Sequence, residues 1–128
     1  MERLLKIKPI KITSKYGKRT HPITGVTSFH NGIDVSAPED TPVYAPFDGI
    51  ISDSYTHATG GITCIFDGDN GIQLRMAHLT STNLKYARIN NGEIICHTGN
   101  TGASTAPHLH LGVKENNQYV DPLTIFKG

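Results

Sequence analysis

Punctuation constrains this chain more than any other feature. Thirteen glycines and seven prolines cut 128 residues into short pieces, and these two residues are the strongest local breakers of regular structure. Between the breaks lie TPVYA (41–45), GIISDSY (49–55), ITCIF (62–66), IQLRMAHL (72–79), EIICH (93–97), HLHLGVK (108–114) and QYV (118–120). Their β-branched and aromatic content predicts strands. DGDNG (67–71) and KENNQ (114–118) are hairpin signals, the second because Asn116 and Asn117 tolerate left-handed backbone. Only STNLKYARI (81–89) reads as a short helix, with further helical turns expected around the C-terminal LTIFKG. The pattern is that of a mainly β single domain. Internal repeats, low-complexity tracts and interior linkers are absent from the sequence, and residues 1–13 read as an arm or linker ahead of a domain over 14–128.

Composition narrows the function. The net charge of +1 gives no nucleic-acid or membrane-surface footprint, and no apolar run approaches spanning length. The basic opening, MERLLKIKPIKITSKYG, lacks the apolar stretch and small-residue cleavage site of a signal peptide. Cys64 and Cys96 lie in apolar runs and are expected to be buried thiols; without CxxC spacing they are not read as zinc ligands.

Histidine placement points to chemistry. In APHLHLG, His108 and His110 are two apart, so on a strand both project to one face and Leu109 to the other. In FHNGID, His30 and Asp34 are four apart. That spacing would share a helix face, but Gly32, Ile33 and Val35 disfavour a helix. On an extended strand His30, Gly32 and Asp34 also share a face, and Gly32 leaves room between the polar groups. His78 closes IQLRMAHL as a fifth candidate. Zinc favours imidazole and carboxylate donors, and a catalytic zinc takes three protein ligands. His30, Asp34 and either His108 or His110 would supply that set. No glutamate lies near these segments, so a histidine must move the proton or stabilise the oxyanion.

These segments carry a resemblance. YGKRTHPITG, FHNGIDVSAPEDTPVYAPFDGII, AHL, GNTGASTAPHLHLGV and the closing VDPL follow one another in the order found in the M23 zinc metallopeptidases, the lysostaphin-type (LytM-like) peptidoglycan endopeptidases. The resemblance runs from SKYGKRTHP to the end of the chain. It implies that His30, Asp34 and His110 are the ligands of one zinc ion, and that His78 and His108 activate water and stabilise the oxyanion. It further implies a compact antiparallel β-sheet domain with an active-site groove, of the lipoyl-like (duplicated hybrid motif) type. TPVYAPFDGIISDS and NGEIICHTGNTG look like the two halves of that motif. The substrate class implied is the stem peptides or cross-bridges of bacterial peptidoglycan. The chain departs from the family pattern at Asp40 and Ala106, where glycine is usual, and at Met76 and Leu111, where aromatics are common; these are expected to touch groove walls. Asp40 is expected to tolerate a left-handed backbone.

Other residues carry weaker signals. Arg19 is a candidate contact for a substrate carboxylate or carbonyl, in competition with packing of its loop. Asn31, beside a ligand, and His57, in a glycine-flanked loop, are candidate groove residues. His21 and His97 read as structural or surface residues, and Tyr44, Tyr55 and Tyr119 as packing. The leading expectation is a zinc endopeptidase acting at the cell wall. It would be a monomer or part of a larger wall-lytic protein or virion, phage encoding being one setting that dispenses with a signal. The alternative is a non-catalytic module of the same fold that binds peptidoglycan or a hydrolase, which would have no need of both His78 and His108. A lipoyl-type carrier is disfavoured because no hairpin presents a modifiable lysine in the required context.

Overall fold

A computed structural model describes residues 1, 3–7, 10–20, 22–104 and 106–126. His21 therefore lies outside the described residues. The strands are β1 (Ile12–Ser14), β2 (Gly17–Thr20), β3 (Thr27–His30), β4 (Gly32–Ser36), β5 (Pro42–Tyr44), β6 (Gly49–His57), β7 (Gly61–Gly68), β8 (Ile72–Thr82), β9 (Arg88–Ile89), β10 (Ile94–Thr98), β11 (His108–Glu115) and β12 (Gln118–Val120). One helical turn, α1 (Pro122–Ile125), follows at the expected C-terminal place, capped by the Asp121 side chain.

The main sheet runs β1-β4-β11-β8-β7-β6-β9, with β10 pairing β5 and β8 and β12 pairing β11. All of these pairings are antiparallel. β2 and β3 form a separate hairpin. Both hairpin signals are met: β7 turns into β8 through 69–71, and β11 turns into β12 through Asn116 and Asn117, at φ 50° and 67°. The two halves of the sequence motif meet where β5 pairs with β10, Val43 opposite Cys96.

The central strands bury one face. Ile33 and Val35 of β4, Leu109, Leu111 and Val113 of β11, Leu74, Met76 and Leu79 of β8, and Cys64 and Phe66 of β7 form one cluster. The opposite face of β4 and β11 carries Asp34, His108 and His110, none of them in that core.

Two expectations need correction. Residues 81–89 are not a helix: Ser81 and Thr82 finish β8, Tyr86 has φ 73°, and Arg88 and Ile89 form β9. Leu84 and Tyr86 are 80% and 69% exposed, and only Ala87 and Ile89 of the segment pack on the core, too few for an amphipathic helical face. Among the described residues of 1–13, expected as an arm or linker, Met1, Leu4 and Leu5 are buried in the core and Ile12 pairs with Val35 of β4. Leu4 also accepts a backbone hydrogen bond from Tyr44. Leu111 is a fully buried core residue and not a groove wall, whereas Met76, equally buried, still borders the cleft formed with His57, Arg75 and His110.

Candidate active site

The face of β4 and β11 away from the core is built by register. His110 lies opposite Asp34 of β4 on one side and Ala77 of β8 on the other. His108 and His110 point to this face while Leu109 and Leu111 are buried, the alternation expected of HLH. Gly32 is required for it. A Cβ there would come within 2.5 Å of the Leu111 carbonyl oxygen and 3.1 Å of His110 Cε1. His30 reaches the site differently from the single strand expected: it ends β3 in the small hairpin, and Asn31 breaks the chain before β4 begins.

Asp34 is the hub. His110 Nδ1 lies 2.9 Å from Asp34 Oδ1, His30 Nε2 lies 3.9 Å from it and His108 Nε2 3.8 Å. Burial pushes the Asp34 carboxyl up. The His110 hydrogen bond and the neighbouring His110, His30 and His108 rings outweigh this and hold it below its ordinary value. The ligand atoms of His30, Asp34 and His110 lie within 4.8 Å of one another. Tetrahedral zinc at ordinary ligand lengths holds its donors roughly 3.3 Å apart. Two imidazoles and a carboxylate this close match zinc in donor type and number.

The other ring nitrogens are held by the protein. His30 Nδ1 lies 3.0 Å from the Lys15 carbonyl and 3.3 Å from Ser14 Oγ. His108 Nδ1 lies 2.8 Å from the Ala106 carbonyl and 3.2 Å from Ser104 Oγ. His78 Nδ1 lies 2.7 Å from the Thr101 carbonyl. A carbonyl only accepts, so each of these rings donates from Nδ1, and Nε2 is the nitrogen left for a metal or for proton transfer. His30, of the candidate ligands, thus has a backbone acceptor for its other ring nitrogen, and Ser14, Thr101 and Ser104 are contributors that sequence reasoning missed.

His78 is brought in by a bulge. Along IQLRMAHL simple alternation puts His78 on the face of Leu74 and Met76, inside the core. Between Met76 and Leu79, however, β8 holds one residue more than the facing segment of β7, where Cys64 pairs Met76 and Ile62 pairs Leu79. His78 takes φ 60° at this point and both Ala77 and His78 leave the core face. Its N–H donates to the Gly60 carbonyl at 2.7 Å. Its ring centroid then lies 4.8 Å from that of His108 and 6.4 Å from that of His110.

Clefts open on both sides. One, of about 420 Å³, is lined by Ser14, Arg19, Ser36, Ala106, Pro107 and His108. The other, of about 270 Å³, is lined by Asn31, Tyr55, His57, Arg75, His110 and Tyr119, among others. Arg19, Asn31 and His57 therefore stand in cleft walls. Arg19 donates to Ser14 Oγ, and His57 Nδ1 accepts from the Thr59 backbone N–H at 3.1 Å. Tyr55 and Tyr119, expected to pack, are partly exposed in the second cleft. His97 lies beside Ser81 on the far side of β8, its Nδ1 3.2 Å from Ser81 Oγ. Cys64 and Cys96 are free and buried, as expected.

A His–Asp–His set that could hold a metal ion, beside two further imidazoles on an antiparallel sheet, is an arrangement suited to a hydrolytic metal site. The chain belongs to peptidase family M23, whose sequence profile matches residues 28–122. It is 36% identical over 115 residues to the DD-carboxypeptidase/endopeptidase Mpg of Neisseria meningitidis serogroup B, covering 90% of this chain and 27% of that protein. It is 34% identical to the peptidoglycan DD-endopeptidase ShyB of Vibrio cholerae, covering 88% and 27%. The chain thus spans about a quarter of the length of these relatives. Among solved structures, a zinc-containing peptidase from Vibrio cholerae superposes with TM-score 0.84 at 34% identity, covering 93% of this chain and 38% of that one. The catalytic domain of lysostaphin from Staphylococcus simulans gives 0.78 at 29% identity and 93% coverage of both. M23 peptidases are zinc metalloproteases, and the cluster of His30, Asp34 and His110 fits that metal.

Proposed function

We propose that the chain is a zinc-dependent endopeptidase that hydrolyses peptide bonds in the stem peptides or cross-bridges of bacterial peptidoglycan, acting at the cell wall. The observation that carries this reading is the pairing of the His30–Asp34–His110 cluster with two proton-accepting Nε2 atoms, those of His78 and His108. The peptidoglycan-directed names of the relatives support the substrate. No helix among the described residues is long and apolar enough to cross a membrane.

His30 Nε2, Asp34 and His110 Nδ1 would hold the zinc. Bound there, zinc acts as a Lewis acid and brings the pKa of water toward neutrality. The protein supplies the rest. The His78 and His108 rings, fixed through Nδ1, present Nε2 atoms that take the proton of the attacking water. The resulting imidazolium donates a hydrogen bond to the carbonyl oxygen as negative charge develops there. The same proton then passes to the departing amine as the C–N bond breaks. The clefts on either side give an extended peptide room to cross the site in both directions.

Purified peptidoglycan incubated with zinc-loaded protein tests this. New free amines without new reducing ends are expected, and they should be lost in His108→Ala. No release from several wall types, with one zinc still bound, would overturn the peptidase reading and leave a binding module.

A further inference from the structure

We propose that Arg75 anchors a substrate carboxylate, making the cleft beyond His110 an anion-binding subsite. This deepens the peptidase reading and rests on it. The resulting preference is for wall peptides with a free carboxylate near the scissile bond over an uncharged glycine bridge.

Arg75 lies on β8 two residues before Ala77, the residue opposite His110, so its side chain emerges on the site face. It lines the second cleft together with His110 and Asn31. It is half-buried, yet among the described residues it makes no ion pair. Its one side-chain hydrogen bond goes from Nη1 to the neutral Gln73 Oε1, at 2.8 Å. Gln73 is itself fixed by donating from Nε2 to Asp67 Oδ1 at 2.7 Å. Gln73 thus orients the guanidinium without neutralising it, and most of its five donors stay free. A half-buried cation without an ion-pair partner is stabilised when an anion arrives, and the Arg fork matches a carboxylate bidentately.

The spacing sets where that anion sits. Two strand residues separate Arg75 from the His110 row, roughly 7 Å along β8. An extended substrate advances about as far in two residues, so the carboxylate belongs to a residue next to, or one beyond, the cleaved bond. Lys114 is the other cation nearby, but its Nζ sits over the Tyr119 ring, 4.8 Å from the centroid. Arg19 lines the opposite cleft, where it is exposed.

The test is isothermal titration of the zinc-loaded chain with wall-stem peptides whose scissile amide is replaced by a reduced, uncleavable bond. Carboxylates flanking that bond are presented free or as carboxamides, one position at a time, with oligoglycine alongside. The wild type should favour the free carboxylate at one position by about tenfold or more. Arg75→Gln should bind both forms of that peptide alike. Arg75→Lys, which keeps the charge but not the fork, should show a reduced preference and serves if the Gln variant does not fold. A preference that survives in Arg75→Gln, a wild-type preference in Arg75→Lys, or a wild type indifferent to every carboxylate overturns the assignment while leaving the peptidase reading in place. Carboxylate-selective binding with no amine release from peptidoglycan overturns the peptidase reading alone. Failure to bind any peptide overturns both.

Discussion

At the scale of single residues, His78 and Gly32 show how much backbone conformation the site demands. A side-chain-bearing residue at φ 60° costs about 1–2 kcal/mol. Here the cost is met by the carbonyls of Gly60 and Thr101, which hold the His78 N–H and Nδ1. Gly32 serves the opposite need, the space for His110. Gly32→Ala is therefore expected to destabilise the fold by about 1–3 kcal/mol through overpacking and to weaken zinc retention. Denaturant titration and competition with a chelator would measure the two effects. The ligand candidates were legible in the sequence because FHNGID and HLH keep polar residues in step while the apolar ones alternate. Asp40 was legible too: it takes φ 65° where the family pattern has glycine. Arg75 was not, because an arginine in an alternating strand reads as a solvated face until the partners around it are known.

At the scale of elements, β8 departs furthest from its sequence pattern. Strict alternation would bury His78, and only the bulge against β7 turns it outward. A bulge leaves no composition signal unless glycine marks it, and here the glycines are on the supporting turn, at Gly60 and Gly61. That turn is locked to the 99–103 loop: Thr101 Oγ1 donates to the Leu79 carbonyl at 2.6 Å and accepts from the Ile62 N–H at 3.1 Å. Thr101→Ala should free the loop carrying the acceptor for His78. A fall in kcat of roughly 10–100-fold is expected, with zinc content kept. Zinc loss in this variant would instead tie Thr101 to the ligands. The helix expected over 81–89 failed for a related reason. Leu, Lys, Ala and Arg favour a helix there, but Leu84 and Tyr86 stay largely exposed, and tertiary pairing takes Arg88 and Ile89 into β9 beside β6.

At the scale of the molecule, one core ties the beginning of the chain to its end. Leu4 and Leu5 are fully buried, and Phe126 joins the same cluster. The sequence hid this because MERLLKIKP has too few apolar residues to show a period. Leu4→Ala should cost about 2–5 kcal/mol in urea unfolding; a change under 0.5 kcal/mol, the range of an ordinary surface substitution, would restore the picture of a loose arm. The buried thiols set the alkaline limit. Burial pushes the Cys64 thiol up to about 11, and Cys96 is raised by burial and by its proximity to Cys64. An unfolded thiol ionises near pH 8.5, so above that the unfolded state loses protons that the folded state keeps. Stability is then fully present below about pH 8.5 and falls as pH rises toward 11, by about 3 kcal/mol for Cys64 alone. Chemical denaturation across that window should show the decline, and Cys64→Ala should lessen it, with Cys96 carrying the remainder.

The division of labour among five residues is the central claim: His30, Asp34 and His110 hold zinc, while His78 and His108 handle protons. Metal content of the purified wild type and of the five single alanine variants tests it most directly. About one zinc per chain is expected in the wild type, in His78→Ala and in His108→Ala, with little or none in His30→Ala, Asp34→Ala and His110→Ala. Zinc lost from a folded His108→Ala or His78→Ala, or retained by Asp34→Ala, would contradict the assignment.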